Sequence, residues 1–524
     1  MAAAAWMTLL FALIAAGDAW TATLPTAPRC PPGAIAIAPG ERIQKAIEKA
    51  GENAAICLKQ GIHRLQAVRP LAGQSFYGEA GAIMNGARLL TEFRKQDRFW
   101  VADIGRVPER RHGHCAVGHG SCNFPHRLLI DGEPLRRATE LDEVQPGWWF
   151  SDPESGKAFI AQDPAGQLVE YAFLPFAFRS AAANVLVRGL TVEKYASPAQ
   201  RGAIDGKNAQ NWSVENCDVR LNSGAGISVG PGGRIVGSDM HHNGQIGAVM
   251  VGARILLEDN LIRDNNRQDF DFTWEAGGVK IAASEDVQIR RNFVYQNNGP
   301  GIWCDIECRN VVFENNRVEY NADAGIFHET SYRAVIRNNV VAFNGQAARP
   351  WYWGADIQIV SSENVDVYEN SITTRVGGAS IMLIDQSRAK PGGGKYLTRG
   401  NFIYSNAITF SGGGYVGGAS DAGPGDENFA IIEKGGNRFD NNFYKAKDSK
   451  SSVSFVWGHE VYDWSRFKLS SAIISCIRCS SPSFDATKTM AYPAFFHAAI
   501  CWRKSRRASS SIVRRSCATR ASFG

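Results

Sequence analysis

Six short runs in the middle of the chain end on asparagine: NCDVRLN at Asn222, SDMHHN at Asn243, NLIRDN at Asn265, NFVYQN at Asn297, NRVEYN at Asn321 and NVVAFN at Asn344. Five residues before each end stands a second anchor, occupied by Cys217, Ser238, Asn260, Asn292, Asn316 and Asn339, with a weaker seventh copy at Asn370. The steps between these anchors are 21, 22, 32, 24, 23 and 31 residues. Self-similarity at about 20–25 residues marks a solenoid, in which each unit buries its apolar face only by stacking on the next. Each unit carries β-type runs such as VVFEN and AVIRNN, broken by Gly and Asn. No segment sustains a 3.6-residue apolar period, which excludes the helical repeats, and Leu does not hold leucine-rich spacing. A coil of three short strands and three turns remains: the parallel β-helix. Val and Ile then stack inward. Asn at a fixed turn position adopts left-handed backbone angles, and its amide bonds to the next coil about 4.8 Å away. The repeated asparagines are thus structural, and no chemistry is assigned to them.

This pattern resembles the right-handed parallel β-helix proteins of the pectate-lyase-like superfamily, over roughly Ala34 to Asn441. GERIQKAIEKAGENAAICLKQGIHRL is similar to the amphipathic helix and first coil that open many of these solenoids, with Ile43, Ala46 and Ile47 covering the end of the core. GAIMNGARLL is similar to a following coil. The resemblance implies an all-β fold, a right-handed parallel β-helix solenoid with an N-terminal capping helix and a β-rich insertion. It leaves the reaction open, because the superfamily holds lyases, hydrolases, epimerases and non-catalytic fibres. The chain has neither the paired-Asp motif of the polygalacturonases nor the D-P-H-D of the mannuronan epimerases. RVPERR at Arg106–Arg111 matches the R-x-P-x-x-R of pectate lyases but lies outside the repeats, and we read it as chance.

The domain reading follows. Residues 1–22 form a signal peptide, with an apolar core from Trp6 to Ala16 and small residues Gly17 and Ala19 at the cleavage positions. The alternative, a membrane anchor, needs about 20 apolar residues, more than this run supplies. Residues 23–93 carry the cap and first coils, 94–183 a β-rich insertion, 184–445 the repeats, and 446–524 an irregular basic tail. The formal charge of +6 is concentrated in that tail: Arg466–Gly524 holds eleven Lys/Arg and one acid, Asp485. The remaining 46 basic and 50 acidic residues make a near-neutral body, so nucleic acid is excluded as a partner. The tail is either a disordered extension or the product of a shifted reading frame near residue 466. No later segment makes a stable membrane span, and the expected location is secreted or periplasmic. In an oxidising compartment the body cysteines suggest Cys30–Cys57, Cys115–Cys122 and Cys304–Cys308, with Cys217 left as a small buried hydrophobe.

The two long steps hold extra residues at one point of the coil: NRQDFDFTWEA after Asn265 and GQAARPWYWGA after Asn344. Two loops leaving one side at neighbouring levels would wall a groove. Their aromatic residues, Trp274, Trp351 and Trp353 among them, suit stacking on sugar rings, or else they only pack the loops down. Counting two residues on from each strand-opening Gly gives Ser228, Val249, Lys280, Trp303 and Phe327, then Gln358 where Asp356 replaces the Gly. Alternation turns this row outward. Four residues on stand Asp305 and Glu329, one coil apart, where mutual repulsion raises one pKa.

Three uses of such a groove are open. In β-elimination on a uronic-acid polymer, Lys280 or His328 is the base, although alternation turns His328 inward. In glycoside hydrolysis, Asp305 and Glu329 act as the pair. In the third, the groove binds polysaccharide through Trp303, Phe327, Trp274, Trp351, Trp353 and Gln358 without reacting. A polysaccharide lyase or glycoside hydrolase leads, and a non-catalytic carbohydrate-binding or surface β-helix protein is the rival. No cofactor is required. Calcium is possible at Asp264, Asp269 and Asp271, and zinc is conceivable at His112, His114, Cys115, His119 and Cys122, where a Cys115–Cys122 disulfide is the favoured reading.

Overall fold

The protein is described by a computed structural model covering residues 30–106, 111–447, 452–463 and 466. The expected leader, most of RVPERR and nearly all of the basic tail lie outside these residues.

Short extended segments recur in every coil and pair in parallel with the coil below. In one column Gly202–Gly206 pairs with Ala225–Val229, which pairs with Ile246–Ala253. In the second, Ser213–Glu215 is followed by Arg234–Val236 and Leu256–Glu258. In the third, Asp218–Arg220 is followed by Asp239–His241 and Leu261–Arg263. The first two columns belong to a single 24-stranded sheet and the third is a 12-stranded sheet. The 14-residue strand Gly277–Arg290 joins the first two, because it bends through both and pairs with Ile302–Asp305 and then Arg309–Glu314.

Inward positions stack like on like. Val192, Val219, Met240, Ile262, Val294, Val318 and Val341 form one unbroken row and are fully buried. Each such side chain contributes about 1.5–3 kcal/mol of burial, so the core is a long column rather than a ball.

The asparagines form two ladders along that column. In one, the backbone N–H and Nδ2 of each residue donate to Oδ1 of the next, from Asn222 through Asn243, Asn265, Asn297 and Asn321 to Asn344. The other runs from Asn260 through Asn292, Asn316, Asn339 and Asn370 to Asn406. The bonding matches the expectation, but the backbone detail differs. The left-handed residue is the one before each ladder asparagine, whatever its type: Leu221, His242, Gln296, Tyr320 and Phe343 all have φ between 53° and 56°. The turn, held by two amide bonds per coil, imposes that conformation on residues that do not favour it.

The helix Ile43–Ala50 closes the N-terminal end of the core with Ile43 and Ile47, both fully buried. The insertion is built from a four-stranded and a five-stranded sheet between Ala87 and Ala172, around Leu128, Trp149, Ile160 and Tyr171. The solenoid resumes at Phe178–Arg179. Glu170 ties the two parts together, accepting from Arg64 Nη1 at 2.8 Å and from Lys194 Nζ. All three expected disulfides are formed, and Cys217 is free and buried.

Candidate functional site

The outward row is in register across the coils: Ser228, Val249, Lys280, Trp303, Phe327 and Gln358 pair in succession, extended by Asp205 below and Met382 above. These side chains leave the solenoid core, yet they are not open to solvent. Lys280 is 4%, Trp303 5% and Phe327 3% exposed. The long loops fold back over the row and turn an outer face into the floor of a cleft. Gln358 is fully buried there, with Oε1 accepting from the N–H groups of Gly354 and Ala355 at 2.9 and 3.3 Å. It anchors the root of the aromatic loop rather than facing a ligand.

Lys280 is fully committed. Its Nζ lies 2.8 Å from Asp305 Oδ2 and 3.0 Å above the centre of the Trp303 ring. Asp305 Oδ1 accepts from Thr330 Oγ1 at 2.9 Å. Trp303 stacks on Phe327 and donates its indole N–H to Glu329 Oε2 at 3.0 Å. Arg388 bonds the other oxygen of Glu329. Burial, and next the negative charge of Asp305, push the Glu329 carboxyl up to about 7, against the opposing pull of Arg388 and Lys280. One carboxyl of the stacked pair is thus held ready to carry a proton near neutrality.

The remaining candidates separate. His328 lies inside the solenoid, edge-on to Phe313, with Nε2 3.3 Å from Tyr332 O. Burial pushes it down to about 4, so it sits behind the wall as a neutral core histidine. Trp274 turns away from the cleft to stack on His114 and Phe270, fixing the loop to the insertion. Trp351 is 42% exposed and rests on Tyr352, outside the cleft lining. Trp353 does line it, edge-on to Phe327, with the Arg349 guanidinium 4.7 Å from its ring centre.

The cleft has a volume of about 370 Å³. Beside Trp303, Phe327, Glu329 and Trp353, its lining includes five polar or charged residues that the repeat analysis missed: Asp323, Arg349, Gln386, Arg388 and Asp421. Asp323 is buried and paired with Arg349 at 2.9 Å, and burial raises its carboxyl. Gln386 and Arg388 come from the segment after Asn370, where the step to the next ladder residue, Asn406, reaches 36 residues. That step was a readable signal, since DQSRAKPGGGK interrupts the coil as the two earlier loops do.

The proposed cation ligands do not converge. Asp264 pairs with Arg263, Asp269 with His119, and Asp271 caps the short helix Phe272–Glu275. The disulfide favoured over zinc at this cluster is formed between Cys115 and Cys122, while His112 meets Gln200 and His114 stacks on Trp274. These donors do not fit a calcium or zinc ion, and no step is built on one.

Residues 202–372 match a family model described as a right handed beta helix region. No curated protein matches the chain in sequence. Among solved structures, a complex of XylC with xylose is 14% identical, covering 80% of this chain and 85% of its own, with a TM-score of 0.56. A glycoside hydrolase is 12% identical over 78% of this chain and 99% of its own, with a TM-score of 0.47. The A-module of the Azotobacter vinelandii mannuronan C-5 epimerase AlgE4 is 14% identical over 80% and 92%, with a TM-score of 0.44. No helix among the described residues is long and apolar enough to cross a membrane. By its strand register, its amide ladders and this match, the chain is a right-handed parallel β-helix protein.

Proposed function

We propose that the protein is an exported glycoside hydrolase acting on polysaccharide, with Glu329 as the general acid. The observation that carries this reading is Glu329 itself: a carboxyl held near pKa 7, on the floor of a cleft walled by Trp303, Phe327 and Trp353. Flat aromatic faces bind the apolar faces of sugar rings. The acid proton passes from Glu329 to the glycosidic oxygen as the bond from that oxygen to the anomeric carbon breaks. Asp421, an exposed carboxylate in the same lining, takes the proton of the attacking water. Asp305 lies beneath, clamped by Lys280, and its charge adds to burial in raising the Glu329 carboxyl.

Elimination is the less favoured chemistry. It needs an unprotonated base at the sugar, and both bases considered from the sequence are spent: Lys280 in a buried ion pair, His328 inside the core. The disulfides and the leader-type N-terminus support export.

The test is a panel of neutral and acidic polysaccharides with two readouts, new reducing ends and the ultraviolet absorbance of an unsaturated product. Reducing ends without absorbance support hydrolysis. Absorbance would overturn it in favour of a lyase, and retained glycan binding with neither product would favour the binding-only β-helix.

A further inference from the structure

On the seam between insertion and solenoid, well outside the cleft lining, a buried arginine has no counter-charge among the described residues. Arg127 is only 6% exposed. Its guanidinium makes a single hydrogen bond among the described residues, from Nη1 to Leu221 O at 3.5 Å, the outer limit for such a bond. No ion pair reaches it among the described residues. Burial lowers the Arg127 pKa to about 10, and the positive charge of Arg267 adds to that shift.

The segment that carries Arg267 is tied to the chain leading into Arg127. Gln268 Nε2 donates to Cys122 O and Phe124 O at 3.0 and 3.1 Å, holding the start of the 266–276 loop against the entry to the insertion strand Leu128–Ile130. Arg267 is exposed and its side chain has no ion pair among the described residues. The acids flanking it in sequence, Asp264 and Asp269, are paired with Arg263 and His119.

A buried cation without an anionic partner is costly, and chains avoid it unless an anion completes the site. Guanidinium forks match the paired oxygens of carboxylate, sulfate and phosphate. We propose that Arg127 and Arg267 clamp a small oxyanion at this seam, locking the insertion onto the solenoid beside the root of the cleft loop. The inference does not depend on the reaction assigned to the cleft.

Thermal unfolding of the full chain at fixed ionic strength tests it, with chloride exchanged for sulfate, phosphate or glucuronate. A hundred-fold excess over Kd raises the wild-type Tm by about 2–4 °C. Arg267→Ala, a surface change that leaves the fold intact, abolishes the rise. Arg127→Met reverses its order with wild type: it melts at or above wild type in chloride and below it with the oxyanion. A response to sulfate and phosphate assigns the site to inorganic anions, and a response to glucuronate alone assigns it to a sugar carboxylate. Equal shifts in wild type and Arg267→Ala, or no wild-type response to any of the three, overturn the proposal.

Discussion

Trp303 and Phe327, 24 residues apart in the chain, are vertical neighbours whose rings stack with centroids 5.2 Å apart and planes 7° from parallel. That contact turns a repeat in sequence into a surface in space. It also brings the Trp303 indole N–H to Glu329, so the aromatic wall and the acid are one unit.

Lys280→Met removes the cation that neutralises Asp305 and draws the Glu329 pKa down. Asp305 is left buried and unpaired, so stability falls by about 3–5 kcal/mol, read by denaturant unfolding. The Glu329 carboxyl rises further, so the alkaline limb of activity moves to higher pH. An unmoved limb would show that this pair does not tune the acid.

Asp356 continues the amide ladder where the coil opens into the aromatic loop. Its Oδ1 accepts from Asn344 N–H and Nδ2 at 3.0 and 3.1 Å, and Thr374 Oγ1 donates to Oδ2. Burial pushes its carboxyl from the ordinary 3.8 to about 7. The folded chain therefore holds a proton that the unfolded chain has released, and stability falls as pH rises from about 4 to about 7. Asp356→Asn places the residue used elsewhere on the ladder. It flattens this slope and stabilises the protein at pH 8 by roughly 1–3 kcal/mol, measured as Tm against pH.

Asn316→Ala removes the acceptor for the Asn292 backbone N–H and Nδ2, bonds of 3.1 and 3.0 Å. Asn292 Nδ2 keeps the carbonyls of Leu257 and Arg290, so the orphaned backbone N–H sets the cost, roughly 1–3 kcal/mol. Asn316→Asp keeps the acceptor and recovers part of the loss. Equal Tm values for Asn316→Ala and wild type would show the ladder to be incidental.

The ladder also explains what was legible in the sequence. A solenoid writes its three-dimensional neighbours at a fixed spacing, so register, inward rows and the alignment of Lys280, Trp303 and Phe327 could all be read from the spacing of Gly and Asn. Burial could not. Alternation says that Lys280 and Gln358 leave the core, but not that loops from other coils close over them. Arg349, Arg388 and Asp421 stand on those irregular loops, where no repeat fixes direction. Trp274 went astray for the same reason, since its partners His112 and His114 belong to the insertion, which shares no period with the coils.

The most direct test of the central claim is the rate of reducing-end release from the best polysaccharide by wild type and Glu329→Gln between pH 5 and 9. Wild-type activity is expected to fall as pH rises through about 7, where Glu329 loses its proton. Glu329→Gln, still folded and still binding glycan, loses roughly 10²–10⁴-fold in rate along with that limb. A glutamine variant that keeps wild-type activity and the same alkaline limb would contradict the assignment of Glu329 as the acid of this cleft.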